Sequence, residues 1–160
     1  MKLGVAIEQL AAAERELADE LSAIGERHRT EHDVYHVTRT LAKMELGHID
    51  ALAPHAARFD VEIERGSNGG SSLLDTVREK SAELVGRRPE PGLLLLRDLR
   101  RLHTLAAGVS IDWTALGQGA QAATDTDLLA AVTTCHGETL RTLKWTTARL
   151  KEAAPQALTT

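Results

Sequence analysis

The sequence predicts an all-α protein in which four long helices pack as a bundle. Apolar residues recur at three- and four-residue steps over four long segments, which is the spacing of one buried stripe along a helix. Aromatic residues make up only 2% of the chain, so the core is built from leucine, alanine, valine and isoleucine. That composition favours close helix packing over a β-sandwich, and no segment has a convincing strand pattern. The 160 residues fit one domain, 1–160, that is long enough to bury a core.

The first two predicted helices are separated by a short turn. The first covers about residues 2–24, and Gly25 is its expected end because glycine tolerates the left-handed conformation of a helix C-terminus. Thr30 is the expected N-cap of the second helix, which covers about residues 30–59. Pro54 lies inside this second segment and is expected to kink the helix or restart it, because proline removes one backbone donor.

The last two predicted helices are also joined by a short connection. The third covers about residues 93–116, and the fourth begins near Asp127 with Asp125 or Thr126 as its N-cap. The fourth is expected to end by Pro155. Because the first and third connections are short, each pair of helices is predicted to form an antiparallel hairpin.

The long connection between the second and third helices is predicted to contain a short extra helix. Residues 67–72 form its flexible centre, residues 73–85 form a short amphipathic helix, and residues 86–92 form a second break with two prolines. The connection either crosses the length of the bundle or caps one end of it. The predicted fold is thus an antiparallel four-helix bundle with a short fifth helix between helices 2 and 3.

Composition and charge exclude several classes of function. The formal net charge is −4, and the chain lacks the basic face that a nucleic-acid-binding protein needs. The densest basic cluster, in residues 87–101, is interrupted by acidic residues and is interpreted as a solvated surface. No apolar run approaches the roughly 18 residues of a membrane-spanning helix, and no signal sequence is evident. The one cysteine, Cys135, excludes an intramolecular disulfide. We therefore expect a cytoplasmic protein with no nucleic-acid or membrane partner.

Several polar side chains fall on the predicted apolar stripes, where each needs a partner. Projecting the helices at roughly 100° per residue gives at least one potential metal ligand on every long helix. The inward-facing set is Glu14 on the first helix, Glu45, His48 and His55 on the second, His103 on the third and His136 on the fourth.

The pair Glu45 and His48 has the i, i+3 spacing that places a carboxylate and an imidazole side by side on one helix face. This pair resembles the Glu-x-x-His half-site of ferritin-like di-iron carboxylate proteins. If the chain turns near Thr30, Glu14 lies level with Glu45. The chain from residue 1 to Leu158 also resembles small bacterial proteins of ferritin-like bundle type, on the segments HDVYH and LKW; no activity is assigned to that family. The resemblance implies a ferritin-like bundle.

The sequence departs from a complete di-iron site, which needs a second Glu-x-x-His on the fourth helix and a glutamate on the third. The fourth helix offers His136 and Glu138 at the wrong spacing, with Glu138 turned outward, and the third offers Asp98 and Asp112, both off its stripe. The number of inward-facing carboxylates and histidines therefore suits one metal ion better than two. Imidazole and carboxylate ligands suit zinc, iron or manganese, among which the sequence does not choose. The predicted ligands are Glu14, Glu45, His48 and His103.

Two functions remain open from the sequence. The first is a non-enzymatic bundle that acts through self-association, as a homodimer, or through a protein partner, with the 73–85 helix in the interface. In this case the inward polar groups simply hydrogen-bond one another. The second is a ferritin-like metal-binding protein with an oxidoreductase or metal-storage role. A further group of histidines, His28, His32 and His36, is interpreted as a surface or interface feature, and no catalytic residue is predicted.

Overall fold

The computed structural model describes residues 2–64 and 90–160, and over these ranges the chain forms four α-helices and no strand. The predicted all-α class is therefore confirmed. The helices are α1 (Lys2–Arg27), α2 (His32–Ala57), α3 (Pro91–Ala122) and α4 (Thr126–Thr159). The short helix predicted over residues 73–85 and the flexible centre predicted at 67–72 lie outside the described residues.

A large apolar core joins the four helices, and a second, smaller cluster consists of Val34, Leu95 and Leu99. α1 packs against α2 and α3, and α4 packs against α3 and α2. The core consists mainly of leucine and alanine, with fully buried leucines on each helix and Trp113 as its largest side chain. Burying each large apolar side chain stabilises the fold by about 1.5–3 kcal/mol before the loss of conformational entropy is counted. Within the described ranges, none of the helices combines the length and apolar character that a transmembrane segment needs.

The close approach of α1 and α2 explains why the predicted end of α1 is wrong. Gly25 is buried inside α1, and a Cβ atom at this position would overlap the hydroxyl of Thr38 on α2. The glycine therefore serves close helix packing instead of a left-handed turn, and α1 continues to Arg27. At the start of α2 the N-cap is Glu31, not Thr30, and it makes no side-chain cap hydrogen bond.

At the other helix ends, the extent of the buried stripe determines where the helix stops more than a proline in the sequence does. α2 continues through Pro54 to Ala57, so the proline does not end it. α3 extends beyond its predicted end to Ala122, because its buried stripe also continues. α4 contains Pro155 and runs to Thr159, which corrects the predicted end there. Its predicted N-cap is confirmed, since the Asp125 side chain accepts a hydrogen bond from the backbone N–H of Leu128 at 3.1 Å.

A buried ion-pair cluster ties the C-terminal end of α1 to α3. Asp98, predicted to lie off the stripe of its helix, is only 2% exposed. Its Oδ2 atom accepts hydrogen bonds from His28 Nε2 and Arg27 Nη1, each at 2.8 Å. Burial opposes ionisation of Asp98, but these hydrogen bonds outweigh it and hold the pKa of the carboxyl below its ordinary value. His28 thus belongs to the fold and is separate from the exposed His32 and His36.

We expect Asp98→Ala to lower the free energy of unfolding by about 3 kcal/mol, because it leaves the buried His28 and the half-buried Arg27 without their carboxylate. Urea unfolding at pH 7 measures the loss. Asp112→Ala, on an exposed face of the same helix, is the matched control and should change stability little. Equal losses in the two variants would contradict the role assigned to the cluster.

Candidate metal centre

Three of the four predicted metal ligands come together in the interior of the bundle. Glu14 and Glu45 are 0% exposed and His48 is 2% exposed. Each offers one ligand atom, and the three ligand atoms lie within 4.8 Å of one another. The structure does not place His103 in this group: its Nδ1 atom lies 2.9 Å from Thr146 Oγ1 instead.

The geometry follows from helix periodicity and from the packing of α1 on α2. Glu45 and His48 lie three residues apart, so both side chains point to the same side of α2. Glu14 faces them from α1. The Nδ1 atom of His48 lies 3.0 Å from Glu14 Oε1 and 3.1 Å from Glu45 Oε2. The imidazole therefore stands between two carboxylates from different helices.

Side chains from α3 and α4 hold the carboxylates in place. Trp113 Nε1 on α3 donates a hydrogen bond to Glu14 Oε1 at 2.6 Å. Two buried threonines of α4 bind Glu45: Thr142 donates to Oε1 at 2.6 Å and Thr139 to Oε2 at 3.2 Å. All four helices thus contribute to one buried polar cluster.

Glu138 also belongs to the cluster, and its predicted outward orientation is wrong. Its Oε2 atom lies 2.8 Å from His48 Nε2, while its side chain stays 36% exposed. A glutamate at the edge of the buried face is long enough to reach inward and still contact water. The cluster therefore contains three carboxylates around one histidine, and Glu138 is the member that reaches solvent.

The second oxygen of Glu14, Oε2, accepts no hydrogen bond from any of the described residues. It belongs to a carboxyl group that is 0% exposed. A buried polar atom without a partner costs about 1–3 kcal/mol, and such atoms are rare in folded proteins. The other carboxylate oxygens of Glu14 and Glu45 accept hydrogen bonds, so, among the described residues, Oε2 of Glu14 is the one oxygen of this buried pair that accepts none.

Burial and mutual contact shift the pKa values of the three groups. Burial raises the pKa of Glu14 from 4.5 to about 8; a hydrogen bond from His48 offsets part of this rise and the charge of Glu45 adds to it. Burial also opposes ionisation of Glu45, but hydrogen bonds from His48, from the protonated carboxyl of Glu14 and from Thr142 outweigh it and lower the pKa of Glu45. Burial disfavours a charged His48, yet hydrogen bonds to both glutamates raise its pKa from 6.5 to about 10. At neutral pH the cluster holds a neutral Glu14, an ionised Glu45 and a charged His48.

The remaining inward-facing histidines lie elsewhere. His136 is half-buried, with its Nε2 atom 2.8 Å from Ser110 Oγ, and His55 is half-buried near the end of α2, where Arg58 contacts its ring. Cys135 is buried near the cluster, and burial, together with the charges of the glutamates, raises the pKa of its thiol to about 12. Its thiol does not belong to the group of potential ligand atoms, which consists of two carboxylates and one imidazole.

The sequence prediction missed the α4 side of the site because it placed the wrong face of α4 inward. His136 was predicted to face inward, whereas the buried face carries Cys135 and three threonines, Thr139, Thr142 and Thr146. Counting threonine as a buried residue type would have revealed this stripe, since the three hydroxyls recur at three- and four-residue steps.

Comparisons of the chain with protein-family models, with curated proteins and with solved structures found no match. The chemistry of the site is therefore inferred from its own residues. Carboxylates and an imidazole are the ligands that zinc, iron and manganese take in proteins. Glu14, Glu45 and His48 supply three such ligands on the rigid helices of the bundle, and Glu14 Oε2 supplies an acceptor without a donor.

Proposed function

We propose that this protein binds one divalent transition-metal ion, zinc, iron or manganese, between Glu14, Glu45 and His48. The observation that carries the proposal is the unpartnered Oε2 atom of Glu14, at 0% exposure and within a cluster of three potential ligands. A cation there would give this oxygen its missing partner. It would also take the place of the Nδ1 proton of His48, which now bridges the two buried glutamates.

We further propose that the four helices form an antiparallel, ferritin-like bundle around this ion. The contacts along the first pair of helices support the antiparallel arrangement. A side chain at Gly4 would contact Phe59, just after α2, while Glu14 contacts His48 and Gly25 packs against Thr38. The contacts thus advance along α1 as they go back towards the start of α2. A metal-storage or oxidoreductase role is consistent with an ion held by three protein ligands, because positions remain for water or a small reactant. Self-association as a dimer stays a prediction.

The test is metal analysis of wild-type protein that was purified without chelators and without a histidine tag, followed by calorimetric titration with Zn²⁺, Mn²⁺ and Fe²⁺. We expect about one ion per chain and a rise in Tm on metal addition, since a ligand that binds the folded state stabilises it. Glu45→Ala is expected to abolish both, because it removes a ligand that the threonines of α4 hold in place.

Two variants control for non-specific binding to histidine. His103→Ala removes a half-buried histidine that lies outside the cluster, and His32→Ala removes an exposed one. Both are expected to bind metal as the wild type does. Absence of bound metal in the wild type, with no change in Tm on adding any of the three ions, would refute the proposal.

A further inference from the structure

The geometry points to Glu138 as the positioning residue of the proposed metal centre: its carboxylate holds the His48 ring so that Nδ1, and not Nε2, binds the ion. This inference rests on the proposed function and deepens it. It assigns a role to the one member of the cluster that is partly exposed, and it specifies which atom of the imidazole is the ligand.

The two nitrogens of His48 face different helices. Nδ1 points to the buried carboxylates, at 3.0 Å from Glu14 Oε1 and 3.1 Å from Glu45 Oε2, whereas Nε2 points to α4, at 2.8 Å from Glu138 Oε2. The ring also packs edge-on against Trp113, with 5.8 Å between the ring centroids and 88° between the planes. These contacts define one orientation of the ring, in which Nδ1 faces the two buried carboxylates.

A histidine that binds a metal through one nitrogen carries a proton on the other, and that N–H usually donates to a carboxylate or a carbonyl. Such a partner fixes the tautomer and the ring orientation, and it makes the ligand nitrogen more basic. Glu138 is placed to be this partner, since its Oε2 atom accepts from Nε2. An ion bound at Nδ1 would take the place of the proton there, while the proton on Nε2 would keep its hydrogen bond with Glu138.

Because Glu138 is partly exposed, its removal should affect the orientation of His48 without much effect on the stability of the fold. Because its side chain is 36% exposed, replacing it by alanine opens no sealed cavity and lets water approach Nε2. Replacement of Glu138 by alanine should therefore lower the metal affinity. Glutamine at the same position still presents a side-chain oxygen to Nε2–H and should restore most of the affinity.

The experiment compares Zn²⁺ affinity by calorimetry in wild type, Glu138→Ala, Glu138→Gln and the matched control Glu152→Ala, which removes the other, exposed glutamate of α4. We expect Glu138→Ala to weaken Zn²⁺ binding roughly 10- to 100-fold, as removal of such a partner does. Glu138→Gln should lose much less, and Glu152→Ala should match the wild type. Nitrogen-15 NMR of the histidine side chains, with His48→Ala used for assignment, should show Zn²⁺ on Nδ1 of His48 and a slowly exchanging proton on Nε2.

Two results would overturn the inference while leaving the proposed function intact: equal Zn²⁺ affinities of Glu138→Ala and Glu152→Ala, or NMR signals that place Zn²⁺ on Nε2. Failure of the wild type itself to bind Zn²⁺, Mn²⁺ or Fe²⁺ would instead refute the proposed function, and this inference with it. Urea unfolding of the metal-free variants shows that each is folded before its affinity is compared.

Discussion

Glu14→Gln is expected to abolish metal binding and, in the same protein, to stabilise the metal-free fold at pH 9. Glutamine has the shape of glutamate and still offers an oxygen to Trp113 Nε1, so the packing is preserved. It removes the charge that Glu14 carries above its pKa of about 8, and it replaces an unpartnered oxygen by a group that is able to donate. A buried polar atom without a partner destabilises a fold, so the gain should be about 1–3 kcal/mol.

Two measurements on each protein check this prediction: urea unfolding at pH 9 without metal, and Zn²⁺ titration at pH 7. The matched control is Glu16→Gln, an exposed glutamate two residues along the same helix, which should change neither quantity. A Glu14→Gln protein that still binds Zn²⁺ and is less stable than the wild type would show that Glu14 serves the fold alone. Loss of Zn²⁺ binding together with a more stable metal-free fold, the expected result, would show that the chain keeps a destabilising carboxyl group in order to bind a ligand.

The second large effect is an opposite dependence on pH of metal-free stability and metal affinity. The pKa values of Glu14 and His48 are both raised in the fold, to about 8 and about 10, so both groups hold protons more tightly in the folded chain than in the unfolded one. Their contribution to stability is therefore full at low pH. It is lost as pH rises, from about pH 4.5 to 8 for Glu14 and from about 6.5 to 10 for His48. Glu45, whose pKa is lowered, acts in the opposite sense, and its contribution is lost only in acid.

Metal binding should show the reverse trend, because the ion replaces the protons of Glu14 and His48. Below pH 8 about two protons leave per ion bound, so affinity should rise roughly 100-fold per pH unit, and between pH 8 and 10 roughly tenfold. Calorimetry in buffers of different ionisation enthalpy counts the released protons directly. In the metal-free protein, Glu14→Gln should remove the change in stability that the wild type shows up to about pH 8. Affinity that is independent of pH between 6 and 8 would contradict the assignment of these two groups as ligands.

The buried part of the site was predictable because helix periodicity alone determines which residues share a face. The spacing of Glu45 and His48, together with the register expected for a turn near Thr30, was enough to predict that Glu14 lies beside them. His103 shows the limit of this reasoning: a position on an apolar stripe fixes the side of a helix but not the level along the bundle. It therefore faces Thr146, and not the carboxylates.

The α4 side was not predictable from hydrophobic pattern, because its buried residues are polar and depend on partners from another helix. Thr139 and Thr142 are buried since their hydroxyls donate to Glu45, and the same dependence on a partner explains the burial of Asp98 against His28. The predicted end of α1 was wrong for a related reason. Gly25 looks like a helix end in isolation, but it is the contact with Thr38 across the helix pair that requires a glycine there.

The most direct measurement is a crystal structure of the zinc-loaded protein with anomalous diffraction data collected at the zinc edge. We predict one anomalous peak inside the bundle, bound by the Oε2 atom of Glu14, a carboxylate oxygen of Glu45 and the Nδ1 atom of His48. A protein that crystallises in saturating zinc with no peak at these three residues, or with zinc only at exposed side chains such as His32 and His36, would contradict the proposed metal centre.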